Sequence, residues 1–439
     1  LTFIRNVSIT FATKVILSLV GLASSIIVAR AIGPEGKGLF SLAILAAAVV
    51  FNATSLGIGT GSGYFLGGKK IALESLAGNW LTLSLLIGIS VMFVSMLLAP
   101  SIIPHILPSV PVWFVIATLT TVPFRILSYN FQSLFKANND FRRFNMLELV
   151  KPVTFLVVFL ILMVLYPDRK IEMAVVSFLV SYAAVGLFAI GLIARVVKLR
   201  IRWAGGLARS AVSFGVQGYL ASFLGFLNLR LDLLLVNLFL EPMYVGYYSI
   251  SVIVAEKIWY IPDILSVVTY PRVAHAEKEE ANRYTSIVSR QTILIVLLGC
   301  VGILIFGRFL VGFLFSERFL PAVIPLFLLL PGIFSRSLAR VISSDLLARG
   351  YPRVNLWAGL VALISNVALN IALIPRMGVS GAALATSFSY TLHALITAVG
   401  FIRITGVTPR SILVPGTDDL RLMIKSIRRA LLWRGDIEA

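Results

Sequence analysis

Apolar residues run along this chain in long blocks, separated by short polar connections. Ser8 to Ala29, Leu39 to Gly59, Leu76 to Ala99, Val112 to Phe135, Leu147 to Tyr166 and Met173 to Ile193 form six blocks in the first half. Ser210 to Leu240, Tyr244 to Tyr270, Gln291 to Phe315, Leu320 to Leu347, Val354 to Ile374 and Val379 to Ile402 form six more. Each reaches or approaches the roughly 20 residues with which a helix spans a hydrocarbon core. The pattern predicts an all-α polytopic membrane protein of about twelve transmembrane helices. The first block is longer than a signal-peptide core and carries no small-residue cleavage site, so it reads as a true first span. From Asp418 onward, Leu420, Ile424, Ile427 and Leu431 share one helical face, with Arg421, Lys425, Arg428 and Arg429 on the other. That pattern suits either an amphipathic helix on an anionic leaflet or a solvated tail.

The blocks repeat at an offset of 208 to 211. Pro34, Gly38, Phe40 and Ser41 in the first connection match Pro242, Gly246, Tyr248 and Ser249 in the seventh. Arg125, Ser133, Ala137 and Arg142 match Arg336, Ser344, Ala348 and Arg353. Proline and glycine at these places suit tight turns, since one fixes φ and removes a donor while the other permits a close return. Six spans per repeat is an even number, so both halves keep one orientation about an axis along the membrane normal. The expected organisation is an N-lobe at 1–198, a linker at 199–209, a C-lobe at 210–402 and a basic tail at 403–439. Between the two pseudo-symmetric six-helix lobes a central cavity is expected.

Only 13% of residues are charged, about half the share of a soluble domain, and this excludes an ordinary soluble fold. The net charge of +19 does not indicate nucleic acid, because the basic residues gather at alternate loops. Arg142, Arg143, Lys198, Arg200, Arg202, Arg272, Arg283 and Arg353 lie on one side, whereas the connection from Pro100 to Pro111 holds no lysine or arginine. By the positive-inside rule that side is cytoplasmic, as are both termini. One cysteine, Cys300, precludes an intramolecular disulfide and a thiol metal cluster. No nucleophile triad, phosphate loop or metal-ligand spacing is visible, so no cofactor, metal or catalysis is expected.

Ala29-Arg-Ala-Ile-Gly-Pro-Glu-Gly-Lys-Gly-Leu-Phe-Ser resembles the first external turn of the polysaccharide transporter family. These are the oligosaccharide flippases of the multidrug/oligosaccharidyl-lipid/polysaccharide exporter superfamily. Arg230-Leu-Asp232, Val245-Gly-Tyr-Tyr-Ser, Leu347-Ala-Arg-Gly-Tyr-Pro-Arg353 and Gly378-Val-Ser-Gly-Ala-Ala383 extend the resemblance over nearly the whole chain. Glu241 departs from it, standing where the second turn often carries glycine. The resemblance implies alternating access in a bacterial inner membrane. It also implies an undecaprenyl-diphosphate-linked oligosaccharide as cargo, an O-antigen, capsule or exopolysaccharide repeat unit. Partners would be the lipid-linked glycan, membrane lipids, and a polysaccharide polymerase with chain-length proteins.

Seven cations fall well within the blocks: Lys14, Arg125, Arg230, Lys257, Arg308, Arg336 and Arg340, while Lys151, near the start of its block, groups with the loop cations Arg142 and Arg143. Each would cost roughly 2.5–3.5 kcal/mol at the centre of a lipid-facing span, so a water-filled cavity or a partner must receive most of them. A cationic cavity also suits a diphosphate, because guanidinium groups match phosphate oxygens bidentately. Lys14, Arg125, Arg230, Lys257, Arg336 and Arg340 are therefore the substrate-binding candidates. Arg125 and Arg336 are equivalent by repeat and serve either as ligands or as braces. Asp232, Glu256 and Asp263 are candidates for coupling, or for a latch such as Asp232 with Lys257, with a permanent ion pair as the alternative. Ser18, Ser25, Gln217, Asn228, Asn366 and Asn370 are expected to line the cavity, and for Asn366 and Asn370 helix-to-helix bonding is an equal alternative. Two other functions fit the blocks less well. A cation-coupled drug exporter would favour intramembrane acids over bases, although a peptidoglycan-precursor exporter of the same superfamily would not. A membrane glycosyltransferase or polymerase would need a sizeable extramembrane loop, and every loop here is short.

Overall fold

The computed structural model describes residues 2–55, 57–68, 71–416, 419 and 421, apart from the side chains of 2–8, 60, 208, 212, 214, 216–218 and 221. The expected tail helix and the side chain of Gln217 lie outside the described residues. The chain order is α1 (Thr2–Thr54), α2 (Leu73–Ile106), α3 (Val112–Leu119), α4 (Val122–Ala137), α5 (Phe141–Leu165), α6 (Lys170–Ala194) and α7 (Gly205–Phe239). There follow α8 (Pro242–Glu256), α9 (Tyr260–Ala274), α10 (Lys278–Phe315), α11 (Val323–Ala348), α12 (Pro352–Met377), α13 (Val379–Thr405) and α14 (Pro409–Leu413). No strand occurs among the described residues.

Ten segments of the described residues are long and apolar enough to cross a membrane. One of them, Ile9–Thr54, contains two of the expected spans. They are divided at Gly33, whose φ of 68° is open to glycine and strained for other residues, and Pro34 then starts the second helix without a donor. The expected eighth span is split into α8 and α9 by a 3-10 turn at Lys257–Trp259, so neither piece has spanning length alone. With these two cases the helices account for the twelve expected blocks.

Two boundaries differ from expectation. The block from Val112 to Phe135 breaks into α3 and α4, because the Thr120 and Thr121 hydroxyls bond back to the carbonyls of Ala117 at 2.7 Å and Thr118 at 2.6 Å. The fifth helix begins at Phe141, six residues before Leu147, since the Asp140 side chain caps it by accepting from the Arg143 amide at 3.1 Å. This earlier start sets Glu148 and Lys151 two to three turns into the helix instead of in its first turns.

The repeat is present in the backbone. After α4 the amide of Asn139 (φ 58°) donates to Lys136 and that of Asp140 to Phe135. At an offset of 211, after α11, Gly350 (φ 84°) donates to Leu347 and Tyr351 to Leu346. Both helices thus end in a left-handed residue that satisfies their last carbonyls.

The chain forms two compact units, Leu1–Tyr247 with Leu314–Arg318, and Tyr248–Phe313 with Phe319–Ala439. In the first, α4 packs against α1, α2, α5 and α6. In the second, α11 packs against α9, α12 and α13. The most apolar stretch is 56% buried in the span containing α4 and in α13, but 11% in α5 and 17% in α10. The former are interior helices and the latter lie at the surface of their units. Leu304, Ile305, Phe306, Phe309 and Phe313 are exposed on α10, and exposed Arg308 lies one to two turns from its end, within snorkelling reach of the interface.

The duplicated turns also meet inside the first unit. A Cβ on Gly38 would stand 1.8 Å from the carbonyl oxygen of Pro242, and one on Gly246 would stand 1.9 Å from that of Pro34. Each glycine therefore admits the proline carbonyl of the other repeat.

Candidate functional site

The first unit encloses a cavity of about 540 Å³, lined in part by Gly21, Phe51, Arg125, Gln132, Glu148, Lys151 and Tyr182. Arg125 reaches it from the first turn of α4, where Pro123 pre-sets the backbone and begins the helix at the break described above. Tyr182 comes from the buried face of α6, and Glu148 and Lys151 lie three residues apart on one face of α5.

Arg125 is 8% exposed, and its Nη2 donates to the Tyr182 hydroxyl at 2.9 Å. Its guanidinium stacks 4.4 Å from the Tyr182 ring centroid and also faces Phe178 at 5.5 Å and Phe51 at 5.8 Å. Lys151 Nζ donates to the same hydroxyl at 3.3 Å and lies 5.0 Å from the ring. Two cations thus converge on one phenol oxygen. The quadrupole of the ring offsets part of their desolvation, but their mutual repulsion remains. Arg125 Nη1 is buried without a hydrogen-bond partner among the described residues. Lys14, one turn before the lining residue Leu17, bonds to Glu148 Oε1 at 2.8 Å. The cavity and its rim thus carry three cations, Lys14, Arg125 and Lys151, against one carboxylate, an excess of positive charge that favours an anion.

The second unit carries the repeat-related arrangement. Arg336 on α11 stacks 4.8 Å from the ring of Tyr390 on α13, as Arg125 on α4 stacks on Tyr182 of α6. Here carboxylates accompany the cations. Arg340 stacks 4.2 Å from Trp259 and pairs with Asp263, while Glu256 and Lys257 occupy the turn between α8 and α9. The Arg336 Nη1 is again buried without a partner among the described residues.

Other expected site residues are placed differently. Asn366 and Asn370 are fully enclosed rather than facing a cavity. Asn370 Nδ2 donates to Asn366, and Asn366 Nδ2 donates 3.3 Å across to the Thr386 hydroxyl on α13. Asn366 thus bonds to a neighbouring helix and Asn370 within its own, because apolar packing leaves them no water. Ser18 and Ser25 share α1 with the lining residues Leu17 and Gly21 but do not line the cavity themselves. Asn228 and Asp232 are each 1% exposed on α7, and Asp232 accepts from the Leu233 amide at 2.8 Å. Arg230 donates to the Leu229 carbonyl at 3.1 Å.

Glu148, Lys151 and Tyr182 were not apparent from sequence, and neither was Lys37, a cation only 7% exposed beneath Phe40. The signal for Lys151 was its place inside the apolar block from Leu147, where a cation needs a reason as Arg125 does.

A sequence profile of the family described as "Polysaccharide biosynthesis protein" matches residues 9–324, most of the chain. The chain belongs to this family. Among curated relatives it is similar to the "Probable low-salt glycan biosynthesis flippase Agl15" of Haloferax volcanii, 25% identical over 44% of this chain and 41% of that protein. It is also similar to the "Probable flippase AglR" of the same organism, 25% identical over 38% of this chain and 36% of the relative. The matched stretch therefore spans about two fifths of these relatives. Among solved structures, "Lipid II flippase MurJ, inward closed conformation" gives a TM-score of 0.78 at 15% identity, covering 99% of this chain and 94% of that one. An inward-facing multidrug resistance MATE family transporter gives 0.74 at 14% identity, covering 89% and 94%. These two likenesses establish the fold. Profile, flippase relatives and fold together support the polysaccharide and oligosaccharide flippase family expected from the sequence, and a multi-pass membrane protein.

Proposed function

We propose that the chain moves a lipid-linked oligosaccharide across the membrane by alternating access, holding the cargo phosphate at Arg125, Lys151 and Tyr182. It acts as a transporter and not as an enzyme. The cargo is an undecaprenyl-diphosphate-linked repeat unit, the membrane is a bacterial inner membrane, and both termini are cytoplasmic. One observation carries the reading: two cations share a buried phenol oxygen at the wall of a cavity, and Arg125 Nη1 has no hydrogen-bond partner among the described residues. A phosphate oxygen satisfies that donor and relieves the repulsion between the cations. The same charge balance disfavours cationic drugs as the cargo.

The test is flipping of a fluorescent polyprenyl diphosphate sugar in proteoliposomes, followed by chemical quenching of the outer leaflet. Arg125→Ala and Lys151→Ala each lower the rate about 10-fold or more, the effect of losing one charge-assisted bond. Arg125→Lys retains part of it. Flipping at the parental rate by both alanine variants would remove the phosphate from this site. Comparison with the monophosphate carrier decides which phosphate class is transported.

A further inference from the structure

The cation cluster leaves one lining group unexplained. Glu148 bonds to Lys14 through Oε1, yet its Oε2 is buried with no hydrogen-bond partner among the described residues. A carboxylate oxygen removed from water without a donor is costly, and an anion site gains nothing from a negative charge on its wall. Arg125 Nη1 on the same cavity has the opposite deficiency, a buried donor without an acceptor. A bare phosphate or diphosphate answers only the second. A phosphate carrying a polyol answers both, since its oxygens accept from Arg125 and a neighbouring hydroxyl donates to Glu148.

We infer that Glu148 is the hydroxyl-accepting subsite for the sugar attached to the cargo phosphate, so that the cavity recognises a glycosyl phosphate and not the phosphate alone. The inference rests on the phosphate site proposed above. Lys14 bonds to Oε1 and leaves Oε2 to the cavity wall, and Gln132, one turn beyond Ser128 on α4, is a further polar group within the same wall. Glu148 thereby distinguishes cargo that has received its first sugar from the empty lipid carrier, which presents a phosphate without the donor.

The experiment measures binding of farnesyl diphosphate and of farnesyl diphosphate bearing one glucose to the detergent-solubilised full chain. The parental protein binds the glycosylated probe more tightly. Glu148→Ala weakens that probe about 10-fold, the scale of a hydrogen bond to a charged acceptor, and leaves the unglycosylated probe unchanged or tighter because a repelling charge is gone. Glu148→Gln, which keeps a carbonyl acceptor and nearly the same shape, falls between, so a folding defect in the alanine variant does not decide the outcome. Lys14→Ala breaks the same ion pair without removing the acceptor and preserves preference for the sugar. Equal weakening of both probes by Glu148→Ala, or loss of the preference in Lys14→Ala alone, would assign Glu148 to bracing Lys14 and overturn the inference. Failure of the parental protein to bind either probe would instead remove the phosphate site itself.

Discussion

Tyr182 is the residue on which the first unit's site depends, because its hydroxyl accepts from Arg125 and Lys151 while its ring faces both cations. Tyr182→Phe keeps the ring and deletes the shared acceptor. Its expected effect is a loss of about 1–3 kcal/mol in stability, the cost of leaving a charged donor unpaired, with the stacking geometry kept. Thermal unfolding of the purified protein, with Tyr182→Ala as the variant that also loses the ring and leaves a cavity, checks the order: parental, then Phe, then Ala. A phenylalanine variant as stable as the parent would mean that water replaces the phenol without cost. This residue also shows what the sequence left open. Arg125 stood out because a cation in an apolar block demands a reason, whereas a tyrosine in such a block demands none. Glu148 and Lys151 fall in the first turns of their apolar block, close enough to Arg142 and Arg143 to read with the loop charges, and the cap at Asp140 sets them two to three turns into α5.

At the level of elements, the helices were legible because apolar length is a strong signal, and the turns were legible because proline and glycine recur in register. Breaks inside blocks were not, since the hydroxyl bonds of Thr120 and Thr121 and the 3-10 turn at Lys257–Trp259 leave hydropathy unchanged. The repeated turns have a further consequence in packing. Gly38 and Gly246 each meet a proline carbonyl of the other repeat at under 2 Å from where a Cβ would stand. That carbonyl is backbone and cannot rotate away as a flexible side chain would. Gly38→Ala and Gly246→Ala are each expected to cost about 1–3 kcal/mol by overpacking, or to separate the two turns. Gly359→Ala, where nothing lies within 4 Å, is the control and stays near the parental midpoint. Thermal unfolding measures the cost. Accessibility of single cysteines placed beside the prolines, in a background lacking Cys300, measures the separation. Alanine variants that match the control on both counts would show the turns free to part without effect.

For the whole molecule, the duplication raises the question of why two equivalent arginines should act differently. Arg125 and Arg336 come from matching helices and lie on matching tyrosines, so the stacked pair is common to both repeats. The surroundings have diverged in charge. The first unit sets Lys14, Arg125 and Lys151 against Glu148 alone. The second sets Arg336, Arg340 and Lys257 beside both Asp263 and Glu256, with Arg340 already paired to Asp263. A field more nearly neutralised by carboxylates attracts a phosphate more weakly, so anion binding is expected to follow the first unit. Arg336→Ala should lower stability and flipping while leaving the dissociation constant for farnesyl diphosphate within about two-fold of the parent, whereas Arg125→Ala raises it about 10-fold. Equal losses of affinity in the two variants would show that the acids of the second unit do not screen its arginine, and both repeats would then count as phosphate ligands.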